Sequence, residues 1–452
     1  MKKLTRVLVC AAMLALVLCT SAMAADSDIR VELNGAPLDL TDAAPQIAND
    51  RTYLPFRAVF TALGFADEDI TYQAETKTVS AASDAMTISM VIGENKVTVV
   101  KDGQTTVLDT DAPAFIDAEL GRTYVPARFV SEAAGYRVGW DGESRTVILD
   151  DVDAILADNQ ETYEILDKYL DYSRQFQEKN YQITGAYSAN VGMDGETMEM
   201  KGDYSMLTSG STKFDFTTDM QFSGVVGGED LSALLPGGLD FEMRGSLDTG
   251  AFYFKSDTMM SMMENSVQNL WFKLDLAAMM DMMAQETGMS YADLIALSQQ
   301  AIQDLDGKAY IEMLVDMMAQ ADTSTSAQTY LTMLNTMLGD SAFTKQGSSY
   351  VAKFSMEGMD MALTLTTSGS KVNGYAVTMS AEEEDVKMSM DISMKGENMK
   401  AEMDFDLAGM TMQFTMDGKY AATTKSPAGA PDKNAAVMDL MEMMTQSLAS
   451  AA

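Results

Sequence analysis

The sequence contains no histidine and only two cysteines, and both absences exclude large classes of chemistry. Without imidazole there is no Ser-His-Asp or Cys-His catalysis, no imidazole metal site and no histidine acid–base group. Cys10 and Cys19 both lie in an N-terminal segment with the pattern of an export signal. The mature chain is therefore predicted to have no disulfide, no thiol nucleophile and no thiolate metal site.

Basic residues are scarce, because the 452-residue chain has 31 Lys and Arg against 67 Asp and Glu, a formal net charge of −36. Such a surface repels phosphate backbones and anionic membranes, so nucleic acid is not an expected partner. The excess charge favours solubility, with weak collection of cations as the alternative reading. The sequence also lacks a Gly-rich phosphate loop, a nucleophile elbow and a metalloprotease motif. We therefore expect a protein that is not an enzyme and has no cofactor.

The N-terminal segment has the three parts of a secretory signal. It begins with basic residues, continues with an apolar stretch over 7–18 that is short for a bilayer span, and ends in the small-x-small site Ala22-Met23-Ala24. Residues 1–24 are predicted to be a signal peptide, with an uncleaved membrane anchor as the alternative. The expected location is secreted or on the extracellular face of a bacterial cell envelope, with no integral membrane span after cleavage.

Two heptapeptides in the N-terminal third are near copies: Arg-Thr-Tyr-Leu-Pro-Phe-Arg at 51–57 and Arg-Thr-Tyr-Val-Pro-Ala-Arg at 122–128. Each is followed by an apolar run ending in Gly, then by an aromatic residue and a basic-Thr-Val triplet. The pattern predicts, in each copy, a hairpin, a helix that begins near the Pro and ends at the Gly, and two further strands. The signature residues are Arg51, Pro55, Arg57, Gly64, Arg122, Pro126, Arg128, Gly135 and Trp140.

This ordered series resembles the copper amine oxidase N-terminal-like domain of exported Gram-positive proteins, over about residues 27–151. The first copy departs from the pattern, with Tyr72 in place of Trp and three extra residues near 67–69. In amine oxidases the domain is a stalk remote from the copper, so the resemblance implies no activity. For the signature arginines we expect pairing with carboxylates or capping of carbonyls. Binding of an anionic cell-wall polymer or glycan is the alternative.

The remainder of the chain changes its hydrophobic period. Residues 152–179 have helical spacing and are predicted to form a linker helix. From Tyr181 the period is two, so Met, Phe and Leu alternate with polar residues in successive runs, interrupted by a helical insertion at 277–341. A sheet with one apolar face must be covered, which predicts that 180–424 curl into a half-barrel around those helices. Residues 425–452 are predicted to be a linker and an amphipathic helix.

The predicted fold class is therefore α+β, with the small duplicated module followed by a large curved antiparallel sheet whose apolar face is covered by helices. This layout resembles the LolA-like carriers of lipoproteins and lipids, in which a concave apolar face receives acyl chains. The resemblance implies a pocket lined by alternating Met and Phe side chains. The candidate lining residues are Met198, Met200, Phe214, Phe216, Met361, Met388, Met390, Met403, Phe405, Met412 and Phe414.

The 41 methionines leave three interpretations open. Methionine fills irregular cores and adaptable apolar binding surfaces, and its thioether is also a soft ligand for Cu(I). The favoured interpretation is an exported binding protein that holds a lipid or other apolar ligand. One alternative is a structural or adhesive surface protein with a filled β core. The other is Cu(I) binding, by pairs such as Met388 and Met390 or Met410 and Met412, or by the cluster at 259–263.

Overall fold

The fold is α+β, and 52% strand against 22% helix confirms the predicted class with its large curled sheet. The predicted signal peptide and residues 441–452 of the predicted C-terminal helix lie outside the described residues. Two compact units emerge: the described parts of Thr20–Gln160 with Ile311–Leu334, and those of Glu161–Tyr310 with Asn335–Ala452. A computed structural model describes residues 29–40, 43–49, 51–176, 179–193, 195–210, 212–262, 269–287, 290–292, 295, 305–356, 358–383, 386–407 and 409–440.

The first unit, which we call the module unit, contains two four-stranded sheets and one five-stranded sheet. The helices of its N-terminal segment are Phe56–Ala62, Ala127–Ala133 and Val152–Ala157, with a short 3-10 turn at Asp67–Asp69. Its strands are Arg30–Leu33, Ala36–Pro37, Gln46–Ala48, Arg51–Pro55, Ile70–Gln73, Thr78–Ala82, Met86–Val91, Lys96–Lys101, Gln104–Asp109, Phe115–Asp117, Arg122–Pro126, Arg137–Asp141 and Thr146–Asp150.

The two copies of the repeat are interleaved in the module unit. The duplicated strands are antiparallel neighbours, with Leu54 opposite Val125. Strand Arg30–Leu33 of the first copy runs parallel to Thr146–Asp150 of the second. The five-stranded sheet likewise joins the last strands of the first copy to the hairpin of the second. A lone hairpin is marginally stable because it cannot bury its apolar face, so each copy completes the sheets of the other.

The local turn chemistry of the module follows the sequence prediction. Both helices end before a glycine in the left-handed region, Gly64 at φ +90° and Gly135 at φ +92°. A Cβ at either position would meet nothing within 4 Å, so the backbone conformation rather than space requires glycine there. Pro55 differs slightly from prediction, since it ends a strand and precedes the first helical residue instead of lying within the first turn.

The predicted linker helix over 152–179 is wrong in two respects. It is divided into Val152–Ala157 and Glu164–Arg174. The Asp340 carboxylate accepts hydrogen bonds from the backbone N–H groups of Glu164 and Ile165, at 2.9 and 2.8 Å, and so caps the second helix. That helix then packs on the large sheet, with the Tyr169 and Tyr375 ring centres 5.7 Å apart. It is therefore part of the β unit and not a linker.

The second unit, the β unit, is built on one 15-stranded sheet. Its helical segments are Glu164–Arg174, Leu231–Leu234, Asp257–Met262 and Leu276–Thr287, with a 3-10 turn at Asp340–Ala342. Its strands are Asn180–Met193, Glu196–Ser209, Lys213–Val226, Glu229–Asp230, Leu239–Ser246, Ala251–Lys255, Leu270–Asp275, Phe343–Gln346, Ser349–Met356, Met359–Ser368, Lys371–Glu383, Val386–Lys395, Asn398–Leu407, Met410–Thr423 and Ala436–Asp439.

The end of the described chain corrects only the start of the predicted C-terminal helix. Residues Ala436–Asp439 form a strand that runs parallel to Leu270–Asp275, with Met438 opposite Phe272. The Lys273 ammonium binds the carboxylates of Asp275 and Asp439, at 2.9 and 3.1 Å. At Met438, pairing with an available strand edge therefore overrides the helical spacing, because the edge supplies backbone hydrogen bonds and the ion pair stabilises this register. The strand ends at Asp439, and Leu440 is helical.

The predicted helical insertion contributes to both units. Its later helices are Gly307–Ala321 and Ala327–Leu338, and Ile311–Leu334 belongs to the module unit. The Arg137 guanidinium donates to the carbonyls of Ala319 and Thr325, at 2.8 and 3.1 Å. This segment was expected to cover the large sheet together with the rest of the insertion, but its backbone is bound by a residue of the module.

A buried ion pair completes this attachment. The Arg137 guanidinium contacts the Asp150 carboxylate at 2.7 Å, with the two side chains 14% and 0% exposed. Asp150 also accepts hydrogen bonds from the Ser326 hydroxyl at 2.7 Å and the Ala327 N–H at 2.8 Å. The two segments approach closely at Gly139, because glycine has no Cβ. A Cβ at that position would lie 2.0 Å from the Thr323 carbonyl oxygen. The carboxylate is thus fully enclosed by donors from two distant chain segments.

Replacing Arg137 with Ala is expected to lower the free energy of unfolding of the module unit by about 3–5 kcal/mol, because it leaves the Asp150 carboxylate buried without its cation. Urea denaturation followed by circular dichroism measures the loss. As a control, Asp67→Asn removes the exposed ion pair with Arg57, whose side chains are 57% and 67% exposed, and is expected to cost less than about 1 kcal/mol. Equal losses for the two variants would contradict the assigned role of the buried pair.

Candidate functional site

Most of the predicted pocket residues lie in two adjacent rows across the large sheet. Residues opposed across antiparallel strands share a face, and rows two residues apart along a strand are neighbours on that face. We call this region the open end of the apolar face. Its first row contains Met388, Phe405, Met412, Val191 and Met198 in strand order. Its second row contains Met361, Met379, Met390, Met403, Phe414, Ala189 and Met200.

Two predicted pocket residues lie elsewhere on the same face. Phe216 is opposite Met206 and Met243, several residue pairs along the strands from the open end. Phe214 lies beyond it and is only 3% exposed. The predicted residues therefore share a face but do not form one pocket. The second row has two members that the sequence prediction missed, Met379 and Ala189. Sequence alternation alone identifies Met379 as facing the same way as Val377.

Burial changes along the strands of this face. The open-end side chains of Met388, Met390 and Met403 are half-buried. Further along the same strands, Ile392 is 8% and Met394 1% exposed. The second region, the closed end, contains Leu365, Tyr375, Ile392, Met394, Ile183, Tyr204 and Tyr420, all buried.

The closed end is covered by the helix Glu164–Arg174. Its Tyr169 and Tyr172 pack against Tyr375, with ring centres 5.7 and 6.3 Å apart. Phe176, just beyond the helix, contacts Tyr420 at 6.1 Å. Edge-to-face aromatic contacts of this kind add stability beyond the burial of area. One helix therefore seals one end of the apolar face.

Burial of the tyrosines changes their acidity. Burial raises the pKa of Tyr172 from its ordinary 10.0 to about 12, with neighbouring tyrosines adding to the effect. Burial likewise raises the pKa of Tyr420 to about 12 and raises the pKa of Tyr375 further, because the phenolate would lose its hydration. Among the described residues, the Tyr172 hydroxyl is buried without a hydrogen-bond partner. These phenols therefore stabilise the fold only in their neutral form.

The opposite face of the sheet carries a polar cavity of about 1180 Å³ at the same end. A cross-strand row of hydrophilic side chains lines it, in which the Gln413 amide donates to the Asp404 carboxylate at 3.0 Å and the Ser223 hydroxyl donates to Glu199 at 2.9 Å. The row is Asp360, Ser380, Ser389, Asp404, Gln413, Asn190, Glu199 and Ser223.

Residues of the first apolar row border this cavity as well. Met198, Met388, Phe405 and Met412 each lie in sequence between two polar lining residues. Side chains alternate between faces along a strand, so the flanking side chains point to the polar side. The apolar open end is therefore a surface of half-buried side chains, and the concavity behind it is polar. Alternation in the sequence does not reveal toward which face a sheet curves.

The structure places the signature arginines of the module in two groups. Arg51 forms an ion pair with Asp111. Arg57 donates to the Asp67 carboxylate at 2.7 Å and to the Ile70 carbonyl at 2.9 Å. For these two the expected pairing with carboxylates or carbonyls is present. Arg122 and Arg128 are exposed at the surface.

The remaining signature residues shape the module. Pro126 is buried at the end of strand Arg122–Pro126, as Pro55 is in the first copy. The half-buried Trp140 packs against the hydrophobic core of the module.

Comparison with known proteins supports the identity of the N-terminal region. A family model described as the copper amine oxidase N-terminal domain matches residues 32–149, within the span predicted from the repeat. Over that region the chain is similar to this domain, which is the non-catalytic N-terminal part of those enzymes. No curated protein matches the chain.

Solved structures give only distant similarities. A DUF1329 family protein from Desulfovibrio piger is 6% identical over 57% of this chain and 92% of its own, at a TM-score of 0.21. An outer membrane lipoprotein-sorting protein domain from Vibrio parahaemolyticus is 6% identical over 60% of this chain and 96% of its own, also at 0.21. Lipovitellin is 8% identical over 58% of this chain, which spans 27% of lipovitellin, at 0.23. TM-scores this low establish neither a shared fold nor a shared ligand.

A search of the described helices finds none with the length and apolarity needed to cross a membrane. In the described residues, no group of three or more acidic side chains is arranged to hold a metal ion.

The closed end predicts an alkaline loss of stability. A raised folded-state pKa means that the neutral tyrosine stabilises the fold fully below its unfolded pKa near 10, and that this contribution is lost as the pH rises through the folded value. The urea midpoint of the β unit should fall above about pH 10. Tyr420→Phe should flatten that fall, whereas Tyr253→Phe, on the opposite face, should not. A midpoint independent of pH up to 12 would contradict the assignment.

Proposed function

We propose that this is an exported, non-enzymatic binding protein whose β unit holds a lipid or other apolar ligand on the open end of its apolar face. The observation that carries the proposal is the contrast along a single face. The closed end is buried beneath helix Glu164–Arg174, whereas the Met and Phe side chains of the open end stay half-buried. Covering apolar side chains that remain in contact with water stabilises the complex with a ligand, by about 25 cal/mol per Å² of apolar surface buried.

The dimensions of the open end suit an acyl chain. The second row runs from Met361 to Met200 across neighbouring strands, a span of about 29 Å at a strand spacing of about 4.8 Å. One acyl chain spans half of the roughly 30 Å hydrocarbon thickness of a bilayer, or about 15 Å, so the row is long enough to hold an extended chain. Methionine side chains are flexible and polarizable, so they adapt to ligands of different shape.

The proposed location is the outer face of the cell envelope or the extracellular medium. It rests on the signal pattern over residues 1–24 and on the acidic composition, which keeps an exported protein soluble. The absence of histidine from the whole sequence, and of cysteine beyond residue 19, supports a role without catalysis. The similarity of residues 32–149 to a non-catalytic domain agrees with this proposal.

Delipidated full-length protein is expected to take up a fluorescent fatty acid saturably. The double substitution Met390→Gln with Met403→Gln places two amides on the open end and is expected to weaken binding at least about tenfold, since burying a Met side chain contributes about 1.5–3 kcal/mol. The matched control is Ser389→Gln with Asp404→Gln, on the opposite face of the same strands, which should leave the affinity unchanged. Absence of saturable uptake by the unmodified protein would contradict the proposal and favour the structural alternative with a filled core.

A specific observation also favours the Cu(I) alternative as a second candidate. Four methionines, Met361, Met379, Met390 and Met403, are directly opposed on four neighbouring strands. Opposed Cβ atoms are about 4.5–5.5 Å apart, so flexible thioethers on adjacent strands can converge on one soft ion. The sequence prediction named Met388 with Met390 along one strand, whereas the register adds partners from neighbouring strands.

Anaerobic titration with Cu(I) against a bathocuproine competitor tests this second candidate. Met390→Leu with Met403→Leu keeps the apolar volume but removes two sulfur atoms, so it should abolish competition for Cu(I) while retaining fatty acid uptake. The candidate fails if the competitor retains all of the metal in the presence of the unmodified protein.

A further inference from the structure

The module unit contains a cleft of about 600 Å³ to which both copies of the repeat contribute. The first copy supplies Arg51, and the second supplies Arg128 and Trp140. Asp111 forms an ion pair with Arg51 at the same cleft and so fixes the position of that guanidinium. The lining is Ile47, Arg51, Thr52, Asp111, Pro126, Ala127, Arg128, Val138, Gly139, Trp140 and Val147.

The interleaving of the copies explains why the two arginines meet. Arg51 begins the strand Arg51–Pro55, which pairs antiparallel with Arg122–Pro126. The helix Ala127–Ala133 follows directly after that partner strand. Arg128 is the second residue of that helix. The first position of one heptapeptide therefore lies beside the last position of the other. Neither copy contains both arginines of the cleft by itself.

The two copies differ at this position because of a short insertion. The first copy has three extra residues near 67–69, and the Asp67 carboxylate and the Ile70 carbonyl bind Arg57, the counterpart of Arg128. The second copy runs from Gly135 to Trp140 without those residues. Arg128 is instead exposed in the cleft, which Trp140 also lines. The first copy has Tyr72 at the position that corresponds to Trp140. The duplicated site is thus modified in one copy and open in the other.

The cleft combines chemical features that suit an anionic sugar. Two guanidinium groups against the single carboxylate of Asp111 give it a local positive balance, in a chain whose formal net charge is −36. A guanidinium matches carboxylate and phosphate geometry through paired N–H donors. The Trp140 indole and the neighbouring Val138 offer an apolar wall for a sugar ring. A cavity of this volume lies within the range of small-ligand sites.

We propose that this cleft binds an acidic sugar, with its carboxylate or phosphate group on Arg128 and Arg51 and its ring against Trp140. The module thereby provides a ligand site of its own, separate from the apolar face of the β unit. One acidic sugar per chain is expected, rather than two related by the repeat. In the other copy the insertion at 67–69 supplies groups that bind Arg57, the counterpart of Arg128.

Isothermal titration of full-length protein with trigalacturonate tests the proposal, with its methyl ester as the neutral ligand and glucose 1-phosphate as the phosphate source. The acid should bind saturably and change the fluorescence of Trp140, one of two tryptophans. Arg128→Gln should weaken the affinity about tenfold, as expected for loss of a charge-assisted hydrogen bond. Binding of glucose 1-phosphate with the same dependence on Arg128 supports the site and identifies phosphate as an accepted anion.

Arg122→Gln is the matched control, because Arg122 is the exposed counterpart of Arg51 and does not belong to the cleft lining. It should bind the acid as the unmodified protein does. Trp140→Phe keeps an aromatic wall and should retain measurable affinity. Retained binding by this second variant shows that a substitution in the cleft leaves the module folded. The proposal is overturned if neither acid binds, if the methyl ester binds as tightly as the acid, or if Arg122→Gln and Arg128→Gln weaken binding equally.

Discussion

Every sheet of this protein has an apolar face that must be removed from water, and the way each face is covered determines the architecture. In the module unit a hairpin is too small to bury its own face. The first strand, Arg30–Leu33, therefore pairs with the last, Thr146–Asp150, and the heptapeptide strands pair with each other. A hydrophobic core to which both copies contribute is the result. The cleft with Arg51 and Arg128 is a consequence of that exchange.

In the β unit the same requirement is only partly met by the described residues. The helix Glu164–Arg174 seals one end of the apolar face with aromatic rings, and the Asp340 carboxylate holds the start of that helix. The other end keeps its Met and Phe side chains half-buried. A partly covered face with flexible side chains is suited to a ligand that completes the cover, which connects the packing of the sheet to the proposed function.

Much of this could be predicted from local sequence patterns. The left-handed glycines Gly64 and Gly135 end their helices as expected, and the alternation around Met388 and Met403 places them on one face. Long-range contacts produced the errors. The helix predicted over 152–179 is divided, with a cap from Asp340, and Met438 lies in a strand because an edge was available to pair with it. The enclosure of Asp150 by Arg137 and Ser326 likewise joins segments that no sequence pattern connects.

The sequence by itself determined the duplicated module, the change from helical to strand periodicity, and the sidedness of each strand, because these depend on turn chemistry and on the spacing of neighbouring residues. Only the tertiary structure decided that the copies interleave, that one helix covers one end of the apolar face, and that the concavity at the open end is polar. Those features depend on strand register and on the direction in which a sheet curves. Both are set by contacts between residues far apart in the chain.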